Sequence, residues 1–352
     1  MKKVVIYQTI VPHYRKPIFD IIGRHVDLTL VYTGNTAVPG DNYLLEKIPC
    51  LNLPKIGAIH GRRLMSICRD KDVFISMHGP RSLDIDNIKL FCPHIRTIKW
   101  GIGVMASYNT RYDEGNKSQR FIKITNKCDA ALFYSDYPRQ KYASMGVQKE
   151  KMFVANNTVA VEKIEMQLSR KRNILFIGTL YKQKKIDLLI NAYCKAYGIN
   201  RNLPDLVVIG DGDQRTILEK QVLEYELDKK IRFLGQINDD QTLKEHFVEA
   251  LACISPDQAG LSVLKSMGYG VPFVTCRNAI TGGEIFNIHN GIDGVVLDSL
   301  DDLCEVILDI ADNREKYIEY GKSAMSYYYA ERTPEIMAKG FLDAIEYVTS
   351  LK

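Results

Sequence analysis

The strongest constraint on this chain is an alternation that it makes twice: a short apolar run, a helical stretch of about ten residues, then another apolar run. In the second half, apolar runs fall at Asn173–Ile177, Asp205–Ile209, Ile231–Leu234, Ala252–Ser255, Pro272–Cys276 and Gly294–Leu297. Helical spacing fills the gaps at Ile186–Tyr197, Asp213–Tyr225, Thr242–Glu249 and Leu261–Tyr269. Strand, helix, strand is the right-handed βαβ unit, so this half predicts a parallel sheet covered by helices. The first half opens the same way, with a strand at Lys3–Gln8, a helix at Pro17–Arg24 and a strand at Val26–Tyr32. Further strands are expected at Asp72–Met77, Arg96–Trp100 and Ala130–Tyr134, with a helix at Gln119–Cys128. Gly34–Leu53 and Gly101–Gly115 read as loops.

At 352 residues the chain is longer than one hydrophobic core usually serves. The expected fold class is therefore α/β, with two Rossmann-like domains and a cleft between them. The first domain spans 1–165 and the second 166–335. Residues 336–352 form a C-terminal helix that packs back on the first domain. Arg170–Asn173 reads as a polar hinge.

Composition narrows the class. With 46% hydrophobic and 25% charged residues the chain is an ordinary globular one. It has no apolar run of about 18 residues, so no membrane-spanning helix is expected. The N-terminus is basic and then apolar, but His13, Arg15 and Lys16 end the apolar stretch too early for a signal peptide. The eight cysteines form no C-x-x-C pair, and no His cluster has metal spacing. They read as reduced thiols in a cytoplasmic protein, with no metal. Residues 1–165 hold 25 Lys/Arg against 15 Asp/Glu, and the remainder 22 against 27. A basic first half suits the inner face of a cell membrane, a diphosphate-linked lipid or nucleic acid. A merely solvated basic face fits equally well. No recognised nucleic-acid module is present, so nucleic acid is not an expected partner.

Three motifs carry chemistry. In the first, the strand Ile174–Ile177 ends in Gly178-Thr179-Leu180-Tyr181-Lys182-Gln183-Lys184-Lys185, and a helix follows. A turn at the carboxyl end of a parallel strand, facing a helix N-terminus, is where such sheets bind anions, and lysines there suit a diphosphate. The alternative is a surface loop with solvated lysines. The second, Gly210-Asp211-Gly212-Asp213-Gln214-Arg215, has part of a dinucleotide fingerprint. Arg215 stands where the third glycine belongs, which argues against NAD. The third runs from Ser255-Pro256-Asp257-Gln258-Ala259-Gly260-Leu261-Ser262 to Lys265 and Gly270-Val271-Pro272. Gly260 allows close backbone approach, and the free N–H groups of the helix starting near Leu261 make a seat for a phosphate.

In this order and spacing the three motifs resemble the donor domain of the family-4 retaining glycosyltransferases, of the GT-B fold. Arg232-Phe233-Leu234-Gly235-Gln236-Ile237 and Gly291-Ile292-Asp293-Gly294 add to the resemblance. It implies a nucleotide-sugar donor, with Lys184 on its diphosphate and Gly260, Leu261 and Ser262 cradling the distal phosphate. Gly178, Asp211 and Ala259 line the same site, and Gly235 and Ile237 border the nucleobase. Thr179 stands where many members carry an arginine, and Lys182 or Lys185 are the available substitutes. Members carry two glutamates eight positions apart; here those positions hold Asp257 and Lys265. Asp257 keeps the charge with one methylene fewer and is expected to reach the donor sugar. Lys265 reverses the charge where ribose hydroxyls are normally accepted. Two readings follow: a nucleotide that needs this contact less, such as a deoxythymidine diphosphate sugar, or a lysine that adds charge near the diphosphate. Thr281-Gly282-Gly283-Glu284 resembles a glycine-rich loop of the same domain, with Glu284 as a helix N-terminal charge.

The first half is then expected to bind the acceptor, a glycan or a polyprenyl-diphosphate-linked one. His13, Tyr14 and Arg15 follow the first strand. Trp100 ends a later one and reads as a sugar-stacking platform or as core. Ser135 follows the strand at Ala130–Tyr134. The resemblance implies transfer of a hexosyl or related sugar with retained anomeric configuration, in bacterial surface polysaccharide synthesis. The catalytic residues are Lys184 and Asp257, and no metal or other cofactor is needed. The Asp-x-Asp at Asp84-Ile85-Asp86 lies in an unconvincing setting. A sugar-nucleotide epimerase of the same fold and a non-catalytic nucleotide-sugar-binding subunit are the rival functions.

Overall fold

The computed structural model describes residues 1–351 apart from 54–56, 60, 78–82, 108–110 and 115–117. The chain forms two compact units. The first comprises Met1–Met105, Asp113–Ala160 and Arg332–Lys352, and the second Ala106–Tyr112 and Val161–Glu331. The grouping of Ala106–Tyr112 with the second unit is not foretold by any local pattern. Of the loop expected at Gly101–Gly115, residues 108–110 and 115 lie outside the described residues.

The strands of the first unit are β1 (Lys3–Gln8), β2 (Asp27–Tyr32), β3 (Leu44–Lys47), β4 (Leu51–Leu53), β5 (Gly57–Ile59), β6 (Val73–Met77), β7 (Arg96–Gly101), β8 (Ala130–Phe133) and β9 (Met152–Val154). Seven of them make a parallel sheet in the order β3-β2-β1-β6-β7-β8-β9, while β4 and β5 pair antiparallel. Side chains alternate between two apolar layers. Val4 and Ile6 face the helices Lys16–Gly23 and Pro334–Ser350 through Ile18, Phe19, Met337 and Phe341. Val5 and Phe74 face the helices Gly61–Cys68 and Leu83–Phe91 through Leu64, Ile85 and Ile88. Burial on both faces is why these strands read as continuous apolar runs.

One expectation is corrected here. Gly34–Leu53 is not a plain loop, because it contains β3, paired with β2 from Thr29↔Leu44 onward. β3 is an edge strand with Leu44 and Lys47 exposed, so it shows no apolar run in the sequence. The C-terminal helix expected at 336–352 is Pro334–Ser350, set off just before Pro334 from a preceding helix, Arg314–Glu331.

The second unit contains β10 (Asn173–Ile177), β11 (Asp205–Ile209), β12 (Ile231–Gly235), β13 (Ala250–Ile254), β14 (Gln258–Ala259), β15 (Phe273–Cys276), β16 (Ile280–Thr281) and β17 (Gly294–Leu297). Its main sheet is parallel, in the order β12-β11-β10-β13-β15-β17, and β14 pairs with β16 in a small separate sheet. Ile174, Phe176, Val208 and Ile254 pack under the helices Ile186–Ile199 and Leu303–Asp312. In each unit the winding direction reverses once: beside β1, which lies between β2 and β6, and beside β10, which lies between β11 and β13. Such reversals open a crevice at the carboxyl ends of the strands, where open α/β sheets bind ligands.

Candidate functional site

The crevice of the second unit is built from the loops after β10 and β13. Past Ile177 the chain turns at Gly178 (φ +143°), makes one tight turn at Lys182–Lys184 and passes through left-handed Lys185 (φ +56°) into the helix Ile186–Ile199. The loop is fixed to the neighbouring strand: Gly178 N–H donates to Ile209 O at 2.9 Å, and Leu180 N–H to Asp211 O at 2.9 Å. Gly210 has φ +138°, and a side chain there would place its Cβ 2.0 Å from the Gly178 carbonyl oxygen. The Gly-Asp-Gly pattern is thus explained by two loops meeting, with no dinucleotide fingerprint required.

Lys184 folds back over Gly178, where an added Cβ would sit 2.0 Å from its Nζ. The lysine is only 7% exposed, and its Nζ lies 5.5 Å from the ring centres of Phe176 and Tyr181. Burial pushes its pKa down to about 8, with the Cys253 thiol on β13 acting weakly the other way. Among the described residues Lys184 makes no ion pair. A buried ammonium without a carboxylate is costly, and an anionic ligand would satisfy it. Lys182 and Thr179 on the same loop are exposed, and Lys185 is half-buried.

On the other side of the reversal, β13 leads through Asp257 and β14 into the helix Leu261–Gly268. Asp257 O accepts from Ile280 N–H at 2.9 Å, and Ala259 is buried in the β14–β16 pair. Gly260 is the N-cap and supplies no side-chain cap, so the first helical N–H groups around Leu261 and Ser262 face outward without a protein partner of that kind. The Asp257 carboxyl is half-buried, and burial raises its pKa against the opposing pull of the Lys185 and Arg111 charges. Lysine, carboxylate and helix N-terminus thus share the carboxyl edge of one sheet.

The remaining donor-side residues lie along this edge. Asp211 is exposed and accepts from Gly212 N–H at 2.8 Å and Arg215 Nη1 at 3.1 Å, which lower its pKa. Gly235 (φ +73°) gives its carbonyl to Gly210 N–H at 2.8 Å, and Ile237 follows half-buried. Lys265 does not stand as a free charge beside the phosphate seat. Its Nζ is 2.8 Å from Asp240 Oδ1, a partner not foreseen from the sequence. Glu284 begins a short one-turn helix rather than a long one and is buried, accepting from Gly282 N–H at 2.8 Å.

In the first unit several expected acceptor contacts are corrected. Trp100 is no stacking platform: its ring is fully buried, edge-on to Phe19, Tyr134 and Phe341. Arg15 is also interior, 4% exposed, because Met337 of the terminal helix covers it. It donates to Tyr134 OH at 2.9 Å and to Met337 Sδ at 3.3 Å, and lies 5.0 Å from the rings of Trp100 and Tyr134. Ser135 is buried as the residue before the helix Asp136–Ser144. His13 is exposed and Tyr14 half-buried, and these two remain at the edge beyond β1. Asp84 and Asp86 are each engaged by lysine, Asp84 with buried Lys99 at 2.7 Å and Asp86 with Lys127 at 2.9 Å.

Residues 162–326 match the family described as Glycosyl transferases group 1. The uncharacterized glycosyltransferase MJ1607 of Methanocaldococcus jannaschii is 33% identical over 128 residues, covering 36% of this chain and 31% of that relative. The chain thus matches less than a third of the length of the curated relatives. Among solved structures, the HepE protein of Anabaena in complex with UDP is 13% identical with a TM-score of 0.72, covering 98% of this chain and 100% of that one. WaaG, a glycosyltransferase involved in lipopolysaccharide biosynthesis, is 12% identical with a TM-score of 0.64, covering 99% and 100%. The fold is GT-B, two α/β units each built on a parallel sheet. Among the described residues no helix is long and apolar enough to cross a membrane.

Proposed function

We propose that the protein is a glycosyltransferase that moves a hexosyl or related sugar from a nucleotide diphosphate sugar to a glycan or polyprenyl-diphosphate-linked acceptor. The observation that carries this reading is Lys184, a buried ammonium with no ion pair among the described residues, on the same sheet edge as the helix that begins after Gly260. The family match over residues 162–326 supports it, as does the UDP held by HepE. The role of WaaG supports bacterial surface polysaccharide synthesis.

In the reaction the bond between the anomeric carbon and the diphosphate oxygen breaks, and the acceptor oxygen bonds to that carbon on the face the diphosphate leaves. The acceptor proton passes to the departing diphosphate, so configuration is retained without a separate base. Lys184 and the N–H groups at Gly260–Ser262 stabilise the charge that develops on the leaving group, a task we assign to them rather than to a metal. Asp257 faces the donor sugar. The basic first half of the chain, 25 Lys/Arg against 15 Asp/Glu, suits an anionic lipid acceptor and a cytoplasmic place at the inner membrane face.

The test is turnover with UDP-, GDP- and dTDP-linked sugars and a polyprenyl-diphosphate-linked acceptor. Transfer to the acceptor is expected. Donor binding without transfer or hydrolysis would instead mark a non-catalytic subunit, and acceptor-independent isomerisation an epimerase.

A further inference from the structure

The Lys265–Asp240 pair joins two helices that both begin at the carboxyl edge of the second sheet. Asp240 opens the helix Asp240–Glu249 after β12, and Lys265 lies one turn into the helix Leu261–Gly268. A nucleotide with its phosphates at Gly260–Ser262 and its base at Gly235–Ile237 must lay its ribose between these two places. Ribose hydroxyls donate hydrogen bonds, and an ammonium has no lone pair to receive them. Asp240 does. Its side chain is 83% exposed, whereas Lys265 is 18% exposed and grips Oδ1 at 2.8 Å, leaving Oδ2 to a ligand.

We propose that Asp240, positioned by Lys265, accepts the ribose 2′-hydroxyl of the donor and makes the site select ribonucleotides over 2′-deoxyribonucleotides. The inference rests on the donor reading above and names the nucleotide class of that site. It decides between the two consequences of Lys265. The lysine neither adds free charge to the diphosphate nor releases the site from the ribose, because it holds a carboxylate in place.

Calorimetric titration with UDP and 2′-deoxy-UDP tests this on the full chain. The wild type should favour UDP by about tenfold, the range of a hydrogen bond to a charged group. Asp240→Ala, at an exposed position where folding is not at stake, should bring the ratio to about one while leaving 2′-deoxy-UDP affinity within about twofold. Lys265→Met should lower the ratio part of the way. An unchanged ratio in Asp240→Ala, or a wild type that binds 2′-deoxy-UDP or dTDP as well as UDP, would overturn the inference while leaving the donor site standing. A wild type that binds none of these nucleotides would overturn the donor reading and this inference with it.

Discussion

Lys184→Met should lower sugar transfer about 100- to 1000-fold, the usual consequence of removing one preorganised group from a developing anion. The same substitution should make the ligand-free protein more stable. Lys184 is 7% exposed and its pKa is held near about 8 by burial, so its charge is carried at a cost. Against an ordinary value of 10.5 the cost is about 3 kcal/mol below pH 8. Between about pH 8 and 10.5 the unfolded chain holds a proton that the folded one has released. The stability contributed by this group therefore rises with pH through that window. Thermal melts from pH 7 to 10.5 should show the rise in the wild type and lose this component of it in Lys184→Met. A bound diphosphate reverses the preference, because it favours the charged lysine. Donor affinity should fall as pH climbs past about 8, and calorimetry in buffers of different ionisation enthalpy should register proton uptake on binding. A merely structural lysine would give neither signal. Loss of transfer with a gain in stability separates this residue from core positions, where losing a contact lowers both.

Asp257→Asn should lower transfer about 100- to 10,000-fold, by analogy with removal of other positioned carboxylates, while nucleoside diphosphate affinity changes by less than about threefold. The asymmetry follows from placement. Asp257 precedes the helix that seats the phosphate and is not part of the backbone that cradles it. Burial raises its pKa, and the charges of Lys185 and Arg111 oppose the rise without cancelling it. The acid limb of the pH–rate profile should therefore set in above the ordinary carboxylate range, as the carboxyl gains its proton. The alkaline limb belongs to Lys184. In Asp257→Asn the acid limb should vanish and the alkaline limb remain. Steady-state rates from pH 4 to 10 on both proteins check this, and an acid limb unchanged in the variant would remove Asp257 from the reaction.

Periodicity made the architecture legible. Each strand of the two sheets that is buried on both faces announces itself as an apolar run, and Gly178 and Gly260 mark where the chain turns at the edge. β3 escaped because it lies at an edge with exposed residues at both of its ends. Within the site, the sequence could place Lys182, Lys184 and Lys185 on one loop but could not say which is buried. Only the tight turn after Tyr181 and the glycine at 178 let Lys184 fold inward. Long-range partners were invisible. Arg15 looked like an edge residue until Met337 covered it, and Lys265 looked unpaired until Asp240 met it from a neighbouring helix. The same blindness applies to Trp100, whose neighbours Phe19 and Phe341 come from opposite ends of the chain. What the sequence withheld is which polar groups are sealed and by what, and that decides which of them meets a ligand.

The central claim is that one crevice of the second unit holds the donor diphosphate between Lys184 and the helix at Gly260. A crystal of the protein soaked with UDP, GDP or dTDP tests it most directly. The account predicts density for a diphosphate within hydrogen-bond distance of Lys184 Nζ and of the backbone N–H groups at Gly260–Ser262. A nucleotide bound elsewhere, with Lys184 still folded over Gly178 and touching no phosphate, would contradict it.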